Sequence, residues 1–329
     1  MIRVAINGFG RIGRMVLKAG IDDPAVEFVA VNDLTDAKTL AHLLKHDSVH
    51  GRFNGIIDIK GKNIIVNGKE VQVLAEKEPK KLPWKKLKID CVVESTGRFT
   101  NKEDCKQHIK AGAKKVLLSA PPKDKGIPII VKGANEDKIK GDIISNASCT
   151  TNSLVPIVKV LDENFGIEHG FLTTVHSYTA DQNLVDGPHK DLRRARSAAI
   201  NIIPTTTGAA EATAEVLPSL KGKMTGIAVR VPTANGSLTD FVCVVKKKTS
   251  VEEINKAMKN AAENDPMLNG VLEYSEEPLV STDIIGNPMS SIFDASLTRV
   301  NGNLVKVCAW YDNEWGYSKR MIDLIKLMF

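Results

Sequence analysis

The sequence predicts an α/β protein in two parts: a doubly wound parallel sheet first, then an α+β half on a mostly antiparallel or mixed sheet. In the first part, short apolar runs at residues 2–6, 26–31, 92–93 and 116–118 alternate with helix-forming segments. Each run ends in small, polar or acidic residues, where a parallel sheet places its ligand crevice. In the second part, strand-like runs at 170–179, 227–232, 238–245 and 304–310 surround a helical pattern at 251–264.

The first strand runs directly into Asn7-Gly8-Phe9-Gly10-Arg11-Ile12-Gly13-Arg14. Glycines at that spacing let the backbone turn, approach a pyrophosphate and pack the next helix on the strand. A helix at 15–19 and a second strand ending in Asn32-Asp33 supply the context of a Rossmann-type dinucleotide site. Asp33 stands where an acid accepts hydrogen bonds from a ribose and repels a 2′-phosphate, favouring NAD over NADP. A crossover helix at 102–111 separates the later junctions, which end in Glu94-Ser95-Thr96-Gly97 and Ser119-Ala120-Pro121.

At 329 residues the chain has room for two domains, and 43% hydrophobic with 26% charged residues is ordinary for a globular protein. No low-complexity tract, repeat or membrane-length apolar run occurs, and a strand starting at Ile2 leaves no room for a targeting peptide. Five cysteines without paired spacing describe no disulfide framework, so a cytoplasmic protein with reduced thiols is expected. The net charge of +6 suits an anionic cofactor or substrate and permits nucleic-acid contact without indicating it. Lysines between residues 77 and 88, interrupted by Pro79, Pro83 and Trp84, read as a solvated loop or helix face. His42, His46 and His50 are spaced by four, but no further ligand completes a metal set.

Cys149 lies in Ser145-Asn146-Ala147-Ser148-Cys149-Thr150-Thr151-Asn152, followed by a helical pattern at 154–161. Ser148 is the expected N-cap, which puts Cys149 in the first turn, where free N–H groups and the helix dipole lower a thiol pKa. Pro156 predicts a kink. Cys91, Cys243 and Cys308 sit in apolar strands as small hydrophobes, and Cys105 in a polar helical segment at the periphery.

His176 falls near the end of the 170–179 strand, as a structural residue or as the base for Cys149. The polar segment 181–197 carries Arg193, Arg194 and Arg196, able to grip phosphate. Thr205-Thr206-Thr207-Gly208 precedes a helical run and forms a second anion site at a helix terminus. Arg230 interrupts an apolar strand, so it requires an anionic ligand or a structural carboxylate. Residues 311–314 read as a turn before an amphipathic helix at 315–329. A thiolate beside a nicotinamide site implies aldehyde oxidation through a thiohemiacetal and a thioester. The anion sites imply a phosphorylated aldehyde, with inorganic phosphate as acceptor.

The Asn7–Arg14 motif, Ala147-Ser148-Cys149-Thr150-Thr151-Asn152, His176-Ser177-Tyr178-Thr179, Arg193-Arg194-Ala195-Arg196 and Tyr311-Asp312-Asn313-Glu314-Trp315-Gly316-Tyr317-Ser318 resemble phosphorylating glyceraldehyde-3-phosphate dehydrogenases, in order and over the full length. The resemblance implies a cytoplasmic homotetramer converting glyceraldehyde 3-phosphate, NAD and phosphate to 1,3-bisphosphoglycerate and NADH. It implies an NAD-binding domain at 1–148, completed by a C-terminal helix at 313–329, and a catalytic domain at 149–312. By matching motif, Cys149 is the nucleophile and His176 its base. Thr179, Arg230 and Arg194 would bind the substrate phosphate, and Ser148, Thr150, Thr207 and Gly208 the inorganic one. Gly8, Gly10, Arg11, Ile12, Gly13, Asp33, Lys77, Ser119 and Asn313 would hold NAD.

Two positions depart from the family pattern. Gly187 precedes Pro188 where NAD-using members commonly carry leucine, which leaves room for a 2′-phosphate beside the preference set by Asp33. Ser153 replaces a frequent second cysteine. An erythrose-4-phosphate dehydrogenase would share these motifs. A non-catalytic nucleic-acid-binding protein on an NAD fold would not need Cys149, His176, Thr179, Arg194 and Arg230 together.

Overall fold

A computed structural model describes residues 1–329. The chain forms two compact units, one of residues 1–130, 136–147 and 318–329, the other of 131–135 and 148–317. No helix is long and apolar enough to cross a membrane.

The sheet of the first unit runs in the order Ile143–Ser145, Lys115–Leu118, Cys91–Glu94, Ile2–Asn7, Val26–Asn32, Lys69–Leu74, Asn63–Val66 and Ile57–Lys60. Its first six strands pair in parallel, as the alternating pattern predicts. The last three form an antiparallel meander absent from the sequence reading. Its signal was Asn67-Gly68: both residues take positive φ, 49° and 77°, the conformation of a two-residue hairpin turn. Helices Arg11–Gly20 and Lys102–Lys110 cross between parallel strands.

One expectation holds with an addition, and one needs correction. Trp84 is fully buried within the lysine-rich stretch, on Leu82, Ile89 and Val92, while the lysines face out. Cys105 is also fully buried, because Lys102–Lys110 turns that face onto Val116, Leu118 and Ile143.

A buried polar chain ties the ends of the central strands together. Trp84 Nε1 donates to His108 Nδ1 at 3.0 Å, and because indole N–H only donates, His108 carries its proton on Nε2 and gives it to Glu94 Oε2 at 3.0 Å. Glu94 also accepts from Asn7 Nδ2 at 2.6 Å and from the Thr96 amide at 2.9 Å. Those bonds fix the loop ends against each other beneath the glycine turn.

The second unit holds a mixed sheet in the order Ile203–Thr206, Met224–Val231, Ile167–Ser177, Ser237–Val245, Leu304–Tyr311, Ser291–Asp294 and Leu272–Ser275. Ile167–Ser177 pairs in parallel with Met224–Val231 and antiparallel with Ser237–Val245. Helix Cys149–Phe165 packs Leu154, Ile157, Val158 and Leu161 on the inner face beside Leu172, Phe241, Phe293 and Val307. The helix continues through Pro156 without a break. Tyr311, expected in a turn, ends the strand Leu304–Tyr311 and is buried, because Val305, Val307, Ala309 and Tyr311 follow one face at period two.

Candidate active site

Ser148 caps helix Cys149–Phe165 as its sequence position predicts: its Oγ accepts from the Thr151 amide at 3.0 Å. Ala147, at φ 55°, turns the chain into that cap through a conformation that costs a non-glycine residue about 1 kcal/mol. Cys149 therefore opens the first helical turn. Burial pushes its thiol up, against the opposing pull of the Arg230 guanidinium and of hydrogen bonds from Thr150. The expectation of a lowered thiol pKa is corrected on this point, because in the resting site desolvation outweighs the helix terminus.

The expected base stands next to it. His176 Nε2 lies 3.4 Å from Cys149 Sγ. His176 Nδ1 lies 2.7 Å from the Ser177 carbonyl oxygen, which can only accept, so Nδ1 holds the ring proton and Nε2 presents its lone pair to sulfur. Burial, with Arg230 adding to it, pushes the imidazole down to about 3. Each group alone is thus driven to its neutral form. Passing one proton from Sγ to Nε2 creates two opposite charges that compensate each other, with no change in total charge.

Arg230 sits opposite His176 in the parallel register of strands Met224–Val231 and Ile167–Ser177. Its Nη1 donates to Ser177 O at 3.2 Å and Thr179 Oγ1 at 3.1 Å, while Nε is buried without a partner. No carboxylate pairs with it among the chain's salt bridges. Of the two readings of Arg230, the structural carboxylate finds no partner here.

Arg194 is differently committed: Nη1 pairs with Asp181, Nε donates to Thr205 Oγ1 at 2.9 Å, and Nη2 donates to Thr206 O at 3.2 Å. Gly208 caps helix Ala209–Val216 with no side-chain bond, and a Cβ on it would meet nothing within 4 Å. Thr207 Oγ1 accepts from the Ala209 amide at 3.2 Å.

Thr150 follows Cys149 and touches a residue the sequence reading missed: its Oγ1 lies 2.9 Å from Tyr311 Oη, which lies 2.8 Å from Thr174 Oγ1. The Tyr311 ring stands edge-on to His176, with centroids 5.9 Å apart. Asn313 Oδ1 accepts from Ser177 Oγ, the Gly236 amide and Ser237 Oγ at 2.9–3.1 Å, an orientation set by the obligate amide donor. Ser177 and Ser237 were likewise unread; only their place at strand ends signalled them.

The first unit carries the glycine turn. Gly8 takes φ 91°, and a Cβ there would lie 2.7 Å from the Thr96 amide nitrogen; one on Gly13 would lie 2.3 Å from Gly8 O. By contrast, Gly10, the N-cap of Arg11–Gly20, has open space and no side-chain cap, which fits an incoming pyrophosphate. Ile12 is half-buried in the first turn. Asp33 Oδ2 accepts from the Phe9 amide at 2.9 Å and Oδ1 from the Thr35 amide at 3.1 Å, which fixes the carboxylate at the strand end. Arg11 donates to the buried Asp47 at 3.0 Å. The Ser119 amide is bound to Glu94 O at 2.9 Å, and Lys77 is exposed. The His42 and His46 rings lie 4.9 Å apart and tilted by 45°, and no group of three or more potential metal ligands gathers in the chain.

Two family models match: the NAD-binding domain of glyceraldehyde 3-phosphate dehydrogenase over residues 2–102 and the C-terminal domain over 148–313. The chain is 60% identical to the glyceraldehyde-3-phosphate dehydrogenase of Thermotoga maritima, covering 100% of this chain and 99% of that one. It is 58% identical to that of Geobacillus stearothermophilus and 57% to glyceraldehyde-3-phosphate dehydrogenase 1 of Bacillus subtilis, in both cases over 98% of this chain and 97% of the relative.

Proposed function

Because this chain belongs to the glyceraldehyde-3-phosphate dehydrogenase family and is an NAD-dependent enzyme, we propose that it converts glyceraldehyde 3-phosphate and inorganic phosphate to 1,3-bisphosphoglycerate, the glycolytic reaction. The observation that carries the residue assignment is the Cys149–His176 pair, with the lone pair of Nε2 turned to sulfur at 3.4 Å. His176 takes the thiol proton and Sγ bonds to the aldehyde carbon, giving a thiohemiacetal. His176, having returned that proton to the new oxygen, then removes it as the carbon is oxidised to a thioester. NAD, when bound, supplies the hydride acceptor. A phosphate oxygen then bonds to the acyl carbon as the C–S bond breaks, and Cys149 leaves as the thiolate.

Arg230 and Thr179, with Arg194, would hold the phosphate of the substrate; Ser148, Thr150, Thr207 and Gly208 would hold the acceptor phosphate at two helix termini. The unpartnered Nε of Arg230 and the open N-cap at Gly208 support this division. Gly8, Gly10, Gly13, Arg11, Ile12, Asp33, Lys77 and Ser119 fit the cofactor in residues 1–148, and Asn313, its oxygen saturated, offers an N–H to an acceptor such as a carboxamide oxygen. Residues 149–312 form the catalytic part. A homotetramer is supported by the exposed Leu184, Val185, Leu192, Ile200 and Ile202, and by Phe171 and Ile227 on the outer sheet face. The five free cysteines suit the cytoplasm. The relatives' name favours the three-carbon aldehyde over erythrose 4-phosphate and over a non-catalytic nucleic-acid binder. Measuring NADH formation with each aldehyde, with and without phosphate and beside Cys149→Ala, tests the proposal. Turnover independent of phosphate, or kept in the variant, would reject it.

A further inference from the structure

Three buried hydroxyls line up behind the nucleophile. Thr174 is 1% exposed, Tyr311 1% and Thr150 4%, with Tyr311 Oη between the two threonines at 2.8 and 2.9 Å. Each hydroxyl has one proton to donate. Thr174 Oγ1 has no other partner in the protein, so its proton is satisfied only if it is given to Tyr311 Oη. Tyr311 must then give its own proton to Thr150. The opposite direction would leave the buried Thr174 proton without an acceptor, at the cost of an unmade hydrogen bond. The chain therefore has one direction, and it ends with the Thr150 proton turned away from Tyr311.

Thr150 is in the first turn of helix Cys149–Phe165, next in the chain to the nucleophile. We infer that Thr174, Tyr311 and Thr150 form a one-way hydroxyl chain that presents the Thr150 proton to the inorganic phosphate attacking the acyl-enzyme, with Tyr311 as a positioning residue. This rests on the assignment of Thr150 to the acceptor phosphate. It adds a residue that touches neither phosphate nor cofactor and acts only on the second half of the reaction. Without the tyrosine hydroxyl, Thr150 keeps its oxygen but loses the donor that fixes where its proton points. The acylation half, carried by Cys149 and His176, keeps the aromatic ring that stands edge-on to the imidazole.

The test uses Tyr311→Phe, Thr150→Val and the double variant of the full-length protein, with inorganic phosphate as the probe. Stopped-flow NADH formation without phosphate reads acylation, and steady-state turnover against phosphate concentration reads the second step. The expected result for Tyr311→Phe is a KM for phosphate raised about fivefold with the acylation burst within about twofold of wild type. Thr150→Val should raise the same KM, and the double variant should be no worse than Thr150→Val alone. An unchanged phosphate KM in Tyr311→Phe, a burst that falls in parallel, or additive effects in the double variant would overturn the chain. An unchanged phosphate KM in Thr150→Val would instead reject the phosphate assignment, and the chain with it. Should Tyr311→Phe not fold, Thr174→Val serves. It frees Oη to accept from Thr150 and should raise the phosphate KM about twofold or more, and no change would overturn the proposal.

Discussion

His176 and Arg230 stand opposite each other across the parallel strands Ile167–Ser177 and Met224–Val231, so one sheet end carries both an imidazole and a guanidinium without a carboxylate partner. Burial first and that cation second keep the imidazole neutral in the resting site, and no carboxylate takes up the guanidinium's charge.

Arg230→Leu should therefore separate the two aldehydes. A charge-assisted bond to phosphate contributes about 1.5–3 kcal/mol, so KM for glyceraldehyde 3-phosphate should rise about 10- to 100-fold. The unphosphorylated aldehyde should be used about as well as before. Equal losses for both, in parallel steady-state assays, would mean that Arg230 holds the fold and not the phosphate.

The shared proton makes a second prediction. Burial pushes the Cys149 thiol up, and burial with Arg230 holds His176 at about 3, so the pair keeps one proton throughout the neutral range. The thiolate present as an ion pair is then independent of pH, and alkylation of Cys149 by iodoacetamide should be flat from about pH 6 to 8. In His176→Asn the rate should climb about tenfold per pH unit and lie well below wild type at about pH 7. A wild-type rate with that same slope would contradict the pairing.

Much of this site was legible because helix termini and glycine turns depend on local sequence. Ser148 caps as read, Gly10 leaves open space at the next helix terminus, and the parallel strands fall where apolar runs end in polar residues. What was missed depends on partners distant in sequence. Tyr311 was placed in a turn because Asp312 and Asn313 follow it, yet its hydroxyl is satisfied by Thr150 and Thr174, 161 and 137 residues away. Glu94 and His108 likewise gave no local sign of their buried bond, and Cys105 is buried only because a parallel sheet lies under its helix. The thiol went the other way from expectation because burial is a tertiary quantity.

Asp33 is held by the Phe9 and Thr35 amides with its carboxylate fixed, so it should exclude a 2′-phosphate by charge. Asp33→Ser should raise kcat/KM for NADP by about tenfold or more and lower that for NAD, a switch of about 1.4 kcal/mol or more. Gly187→Leu should act in the opposite sense. Unchanged cofactor ratios in both variants would remove the carboxylate as the determinant.

Asp47 offers a test of stability. Burial would raise its carboxyl, but the His50 and Val49 amides and the Arg11 guanidinium outweigh it and hold the group at about 2. A depressed carboxyl stabilises the folded state above its unfolded value near 3.8 and loses that contribution as pH falls through about 2. Asp47→Asn should thus cost about 2 kcal/mol at pH 7, with the gap to wild type closing as the pH approaches about 2. Urea denaturation at both ends of that range decides it; a gap that does not change with pH would assign the loss to packing.

The most direct test of the account is the covalent intermediate itself. The protein is mixed with glyceraldehyde 3-phosphate and NAD in the absence of phosphate, quenched in acid and digested for mass spectrometry. The account predicts one NADH per active subunit and an acyl group on the peptide carrying Cys149, discharged when phosphate is added before the quench. Continued turnover without phosphate, or an acyl group on any other residue, would contradict it.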